Sequence, residues 1–271
     1  MPLSLPLKSA AVRLAGVCDN PRAEAEWLMA HVLACSRTGL LGRAADVAQL
    51  LAFDAAVARR LAGEPVAYIT GEQPFRRLNL RVTAEVLIPR PETEQLVDWA
   101  LALLRPGQCV LDLCTGSGCV AISLAVEMQG LQVWASDISA AALAIARSNA
   151  EAHSAQLNFV EADGLALPPS TPGFDLIVGN PPYIAENDTH LAALNHEPTL
   201  ALVSGSDGLT LIRRLVTDAR QRLNSGGTLL LEHGFDQAAA VRALMKQAGY
   251  VDIRSQRDYS GIERASLGRW A

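Results

Sequence analysis

From Cys109 onward the chain alternates short apolar runs with helical ones, and few architectures accept that order. "CVLDLC" is an apolar run of buried-strand length, followed by "TGSG" and the helical "CVAISLAVEM". "LQVWASD" and "SAAALAIARSNAEAH" repeat strand then helix, while "LNFVEAD" and "FDLIVGN" supply a third and a fourth strand. "GTLLLEH", "YVDIRSQ" and "RASLGRW" bring the total to seven, with helices expected over 208–224 and 235–248. The pattern predicts an α/β fold, a Rossmann-like, doubly wound, seven-stranded and mostly parallel sheet that binds ligands outside the C-terminal ends of its strands. The last two strands leave no room for a helix between them, so an antiparallel hairpin is expected at the edge.

The chain before this sheet has another texture. In "DNPRAEAEWLMAHVLAC", Asn20 is placed to cap a helix, Pro21 sits in its first turn, and Glu24 and Glu26 suit its positive end. Ala25, Leu28, Met29, Val32 and Leu33 fall on one face at helical spacing. "FDAAVARRLAG" repeats the style and stops at Gly63, so residues 1–63 are expected to form a small helical bundle domain. In 64–90, "AYITGEQPFRRLNLRVT" holds Gly and Pro between two β-like runs, which predicts a β-hairpin linker. "IPRPETE" then opens a helix after Pro91, and the sheet domain is expected over 91–271.

Composition narrows the function classes. Half the residues are apolar, 19% are charged and the formal net charge is −5, the profile of a soluble globular protein rather than one that wraps a phosphate backbone. Arg76, Arg77, Arg81 and Arg90 allow a local basic patch, for which a solvated face is the simpler reading. The five cysteines show no C-x-x-C pair and no histidine at metal-ligand spacing, so reduced cytosolic thiols are expected, with neither disulfides nor a metal. No stretch has the length of a bilayer span or a signal-peptide core, so a cytosolic protein is expected.

The first strand of the sheet ends in "DLCTGSG", where Gly116 and Gly118 let the backbone turn tightly and approach a ligand. Asp137 ends the second strand about twenty residues on, where a carboxylate accepts hydrogen bonds from ribose hydroxyls. "GSGCVA" also fits a dinucleotide fingerprint, so the glycines alone do not choose a cofactor. Asp112 tilts the choice, because a carboxylate there repels a pyrophosphate but suits the cationic amino-acid end of S-adenosylmethionine. Asp163 in "EADG" ends the third strand, either as an acceptor for an adenine amino group or as a helix cap.

"VGNPPYIAEN" (178–187) follows the fourth strand. Prolines end the ladder there, and a turn explains one of them but not an Asn and a Tyr around a pair. An amide nitrogen is a poor nucleophile because its lone pair is delocalised, and methylating it requires that pair to be localised. Two fixed acceptors aimed at its two hydrogens stabilise that change in the transition state. The side-chain oxygen of Asn180 and the carbonyl of Pro181 are suited to that task. The Pro181–Pro182 pair fixes the backbone, and Tyr183 offers a flat face to a planar amide or base.

With "PVAYITGEQPF…LIPRPETE", "EPTLALVSGSDGL" and "RDYSGIERA", these motifs make nearly the whole chain resemble the release factor glutamine methyltransferases. The resemblance implies S-adenosylmethionine as cofactor, the Gln of a Gly-Gly-Gln loop in peptide chain release factors as methyl acceptor, and a helical N-terminal domain that helps hold that substrate. It implies a cofactor site at Asp112, Cys114, Thr115, Gly116, Ser117, Gly118, Asp137, Ile138, Asp163, Gly164 and Asn180. It places substrate against Asn180, Pro181, Pro182, Tyr183, Arg90 and Glu92, with Thr93 beside the cleft, and a monomer is expected. Cys114 departs from the glycine usual after "DL", and Gly164 stands where an aromatic residue would flank adenine.

The same clamp fits an adenine amino group, so an adenine-N6 DNA methyltransferase is the alternative enzyme. That class must also flip a base, and the chain shows no element for it. A non-catalytic binding protein and a nicotinamide oxidoreductase rank lower. His190, His196 and His233 are expected to make surface or loop hydrogen bonds, Cys119 to pack a helix, and Glu232 to play a structural part.

Overall fold

Two units divide the chain, Met1–Glu72 and Gln73–Ala271, in a computed structural model that describes residues 1–271. In the first, α1 (Ser4–Leu14), α2 (Pro21–Val32), α3 (Val47–Leu61) and α4 (Val66–Thr70) enclose a core in which Leu14, Ala25, Leu28, Met29 and Val57 are fully buried. The side chain of Asn20 accepts from the Ala23 N–H at 3.1 Å, and Pro21 occupies the first turn, as its fixed φ and missing donor favour. Asp46 and Gln49 close a reciprocal capping box on α3.

The unit runs further than its sequence texture suggests. Residues 66–70, β-like in composition, form a short helix entered through Pro65 and closed by Gly71 at φ +75°. The helical unit therefore reaches residue 72 rather than 63, and only β1 (Glu72–Phe75) and β2 (Leu78–Arg81) make the hairpin expected across 64–90.

In the second unit, α5 (Pro91–Leu103) precedes β3 (Cys109–Leu113), α6 (Cys119–Glu127), β4 (Gln132–Asp137), α7 (Ala140–Ala152), β5 (Asn158–Glu161) and β6 (Phe174–Gly179). After them come α8 (Thr210–Asp218), β7 (Leu223–Glu232), α9 (Ala238–Gln247), β8 (Val251–Arg257) and β9 (Glu263–Arg269). The sheet order is β5-β4-β3-β6-β7-β9-β8, with β9 antiparallel to both neighbours and every other pairing parallel. Val110 and Leu176 pack into one core layer and Leu111 and Ile177 into the other, so both faces of the sheet are covered. β7 starts at Leu223, before the "GTLLLEH" run, with its register to β6 shifting between Phe174 and Leu176. The helix expected over 208–224 is correspondingly shorter and ends in a 3₁₀ turn at Ala219–Gln221.

Because β4 and β6 flank β3 on opposite sides, the order of strands reverses at β3, and a cleft opens at the C-terminal ends of β3 and β6. Leu113 is in register with Gly179, and a Cβ at Gly179 would sit 2.8 Å from the Leu113 carbonyl oxygen. Only glycine lets the two strand ends lie this close. Gly179→Ala should therefore destabilise the protein by about 1–3 kcal/mol, as overpacking against backbone does, read as a lower denaturant midpoint.

Candidate active site

The turn after β3 is built by its side chains as much as by its glycines. Cys114, at φ +56°, reverses the chain, and the Thr115 N–H donates to the Ser136 carbonyl at 3.0 Å. The Gly116 N–H donates to Asp137 Oδ2 at 2.9 Å, and the Ser139 N–H donates to Oδ1 at 3.0 Å. Asp137 thus ties the turn to the start of α7 while keeping lone pairs for a ligand. Gly118, at φ +84°, starts α6, and a Cβ on it would lie 2.9 Å from Ile122 Cδ1 and 3.2 Å from Ala146 Cβ. Asp112 is buried, accepting from Thr115 Oγ1 at 2.6 Å and from the Ala121 N–H at 3.1 Å. Burial pushes its carboxyl up to about 7 against those two bonds, with Asp137 adding to the rise. Burial also raises Asp137, whose backbone N–H partners pull it back.

Asn180 leaves the end of β6 beside this turn. Its Nδ2 donates to Thr93 Oγ1 at 3.1 Å, and Thr93 Oγ1 donates to Glu232 Oε2 at 2.9 Å. Tyr183 points its hydroxyl at Glu232 Oε1, 3.5 Å away, and its carbonyl accepts from Gln237 Nε2 at 2.9 Å. Burial raises Glu232 to about 7 and raises the Tyr183 hydroxyl as well. A cavity of about 730 Å³ contains the turn, Asp112, Asp137, Ile138, Asp163, Asn180 and Pro182. A second of about 270 Å³ contains Glu92, Tyr183, Glu232 and Arg264. Asn180, Arg90, Leu87 and Ala201 line both. Pro181 is buried and lines neither.

Several expected residues are committed elsewhere. Asp163 is neither a free acceptor nor a helix cap: its carboxylate forms a two-pronged ion pair with Arg214, one arm at 2.8 Å, which holds its pKa below the usual range. Gly164, at φ +59°, has the Arg214 guanidinium 3.1 Å from where a Cβ would be, so a side chain there would crowd Arg214. Arg90 pairs with the buried Glu197, which also accepts from the Ile88 N–H at 3.1 Å, tying Pro198–Ala201 to the segment before α5 as a roof. The basic patch dissolves at its centre, since Arg76 is spent on Glu127 and Asp98. His233 lies in the loop after β7 and bonds the loop carbonyl of Gly234, and it is buried there with Ser266 Oγ as its second partner. Cys119 lines the larger cavity and packs on the core below it. Sequence reasoning missed Arg214 and Glu197 altogether, because their partners lie 51 and 107 residues away.

The model of the PrmC N-terminal domain matches residues 7–71, and that of the methyltransferase small domain matches residues 95–197. A release factor glutamine methyltransferase of Coxiella burnetii is 44% identical, covering 97% of this chain and 96% of that protein. The chain belongs to the release factor glutamine methyltransferase family. A family member from Burkholderia pseudomallei is 46% identical over 91% of each chain. A methyltransferase structure from Pyrococcus furiosus shares the fold with a TM-score of 0.55 at 19% identity, covering 78% of this chain and 95% of that one. The first matched region ends at residue 71, next to the end of the helical unit at Glu72.

For a glutamine methyltransferase of this family, Cys114 is a strained choice, since a side chain at positive φ costs about 1 kcal/mol or more. Burial raises its thiol, so it stays uncharged in the cavity wall. Cys114→Gly should leave stability unchanged or raise it by up to about 1 kcal/mol, whereas Cys109→Gly, at the buried start of the inner strand β3, should cost more than about 1 kcal/mol. Thermal unfolding of the two variants checks the contrast.

Proposed function

We propose that this chain transfers a methyl group from S-adenosylmethionine to the side-chain amide nitrogen of the Gln in the Gly-Gly-Gln loop of peptide chain release factors. The carrying observation is Asn180 in the wall common to two cavities, the larger backed by acidic residues and the smaller bounded by Tyr183. The larger is of a size for a small-molecule cofactor. Its residues suit that cofactor: Asp112 and Asp137 are carboxylates with no cationic partner, and the buried Ser117 Oγ makes no hydrogen bond within the protein. Open space beyond the Gly116 Cα leaves room for close approach.

Asp112 holds the ammonium end, and binding that cation draws its carboxyl back to the ionised form. Asp137 receives the ribose hydroxyls, the exposed Ile138 packs on the nucleoside, and the Cys114–Gly118 turn lies along the amino-acid chain. Arg214, paired with Asp163, closes the adenine side of the cavity. When bound, S-adenosylmethionine supplies an electrophilic methyl group.

The acceptor enters through the smaller cavity past Arg90, Glu92 and Tyr183. Asn180 Oδ1, in the wall of both cavities, accepts an amide hydrogen, which pulls the lone pair out of the carbonyl and toward the methyl carbon. The bound cofactor would give up its methyl group and keep the S–C electron pair as a neutral thioether, while the amide nitrogen would release one proton to water. Pro182 and Tyr183 hold the amide plane. The helical unit helps hold the release factor, and the protein acts as a cytoplasmic monomer. No helix is long and apolar enough to cross a membrane.

The test is incorporation of labelled methyl into release factor, into variants with the loop Gln changed to Glu or Asn, and into a DNA duplex. Only the unaltered release factor should be labelled efficiently. The Glu variant has no amide nitrogen, and the Asn variant is shorter by one methylene, a misplacement of about 1 Å that costs about a hundredfold. Transfer to DNA that rivals the release factor would reassign the enzyme as an adenine-N6 methyltransferase.

A further inference from the structure

Three residues from separate elements meet behind the proposed acceptor. Thr93 is in the first turn of α5, Glu232 is the last residue of β7, and Asn180 follows β6, whose Gly179 is in register with Leu231. Thr93 and Glu232 are each only 2% exposed, so bulk water does not compete for their hydrogen bonds. The chain runs in one direction: Asn180 Nδ2 donates to Thr93, and Thr93 donates to Glu232.

That direction follows from donor arithmetic. An ionised carboxylate only accepts, so it claims the single proton of the Thr93 hydroxyl. Thr93 then has only lone pairs to offer, and Asn180 must face it with its –NH2. A side-chain amide has nearly the same shape either way round, so packing alone does not choose which end faces a ligand.

We propose that Thr93 and Glu232 are positioning residues that orient the Asn180 amide, turning its carbonyl oxygen toward the methyl-accepting nitrogen and its –NH2 away. The inference rests on the reading of Asn180 as an acceptor for a substrate amide. With the ends exchanged, two –NH2 groups would face each other, and the lone pair would lose the acceptor that localises it.

Glu232 adds a dependence on acidity. Burial raises it to about 7, the Glu92 charge adds to the rise, and Thr93, Tyr183 and Arg264 oppose it. Cys119, on the first turn of α6, is the remaining titratable group that feels its charge. A protonated Glu232 can donate to Thr93, which frees the hydroxyl proton for Asn180 Oδ1 and reverses the chain. The group works as a carboxylate, so orientation is secure above its pKa and is lost as the pH falls through about 7.

The test compares wild type, Thr93→Val and Thr93→Ser in single-turnover methyl transfer to release factor at saturating S-adenosylmethionine. Calorimetry of cofactor binding runs alongside, and side-chain amide exchange of Asn180 is followed by NMR on ¹⁵N-asparagine protein. Valine keeps the shape of threonine without its hydroxyl, so the transfer rate should fall about tenfold or more with cofactor affinity within about twofold. Thr93→Ser should recover most of the rate. The Asn180 amide protons should exchange slowly in wild type and Thr93→Ser and rapidly in Thr93→Val. Wild type should lose rate below about pH 7, a limb that Thr93→Val should lack. A Thr93→Val rate within twofold of wild type, or a loss that Thr93→Ser shares, would overturn the inference. If Thr93→Val is unfolded, Thr93→Ser and the wild-type exchange data decide, and fast exchange of Asn180 in wild type would overturn it. A wild-type protein inert on release factor would instead refute the functional reading, while the exchange data still report on the hydrogen-bond chain.

Discussion

The site depends on how closely the ends of β3 and β6 lie. With no side chain at Gly179, the Leu113 carbonyl abuts the neighbouring strand, and the two loops that follow leave the sheet side by side. One becomes the glycine turn closed by Asp137, and the other becomes the Asn-Pro-Pro-Tyr segment. Neighbouring strand ends bring together a cofactor turn and an acceptor loop that are separated in sequence by two helices and three strands, α6 to β6. The reversal of strand order at β3 makes this the natural cleft of the sheet.

Charge is distributed around that cleft unevenly. Asp112, Asp137 and Glu232 are carboxylates held by N–H and O–H donors, with no cation paired to any of them. The two arginines in the larger cavity's wall are already neutralised, Arg90 by Glu197 and Arg214 by Asp163. The fold therefore concentrates negative charge in a low-dielectric pocket and leaves it for a ligand to balance. The buried acids rise toward neutral pKa values for the same reason. A cationic cofactor suits such a pocket better than a pyrophosphate does, which is the distinction that the glycine pattern alone does not make.

Much of this was legible in the amino-acid order, because local signals and tertiary structure agree. The strand and helix alternation, Asp137 one strand beyond the glycines, and the prolines that stop β6 each state their position within a short window. Where the reading failed, the deciding partner was distant or the local signal was mixed. Asp163 looks like a free carboxylate until α8 delivers Arg214. The run "AYIT" has β-favouring residues, yet Pro65 and Gly71 bracket a helical turn, and capping overrides propensity over so few residues. Arg76 shows the same limit for charge: its guanidinium reads as a surface cation until Glu127 and Asp98 fold against it.

The central claim is that Asn180, which also borders the cofactor cavity, contributes chiefly to the methyl acceptor rather than to the fold or to cofactor affinity. It is tested most directly by Asn180→Ala, with single-turnover methyl transfer to release factor measured beside calorimetric binding of S-adenosylmethionine. Removing one fixed polar partner of the transition state costs about a hundredfold or more in rate. The account predicts a loss of that size with the cofactor still bound at near wild-type affinity and the thermal midpoint little changed. Transfer at a rate near that of wild type would contradict it.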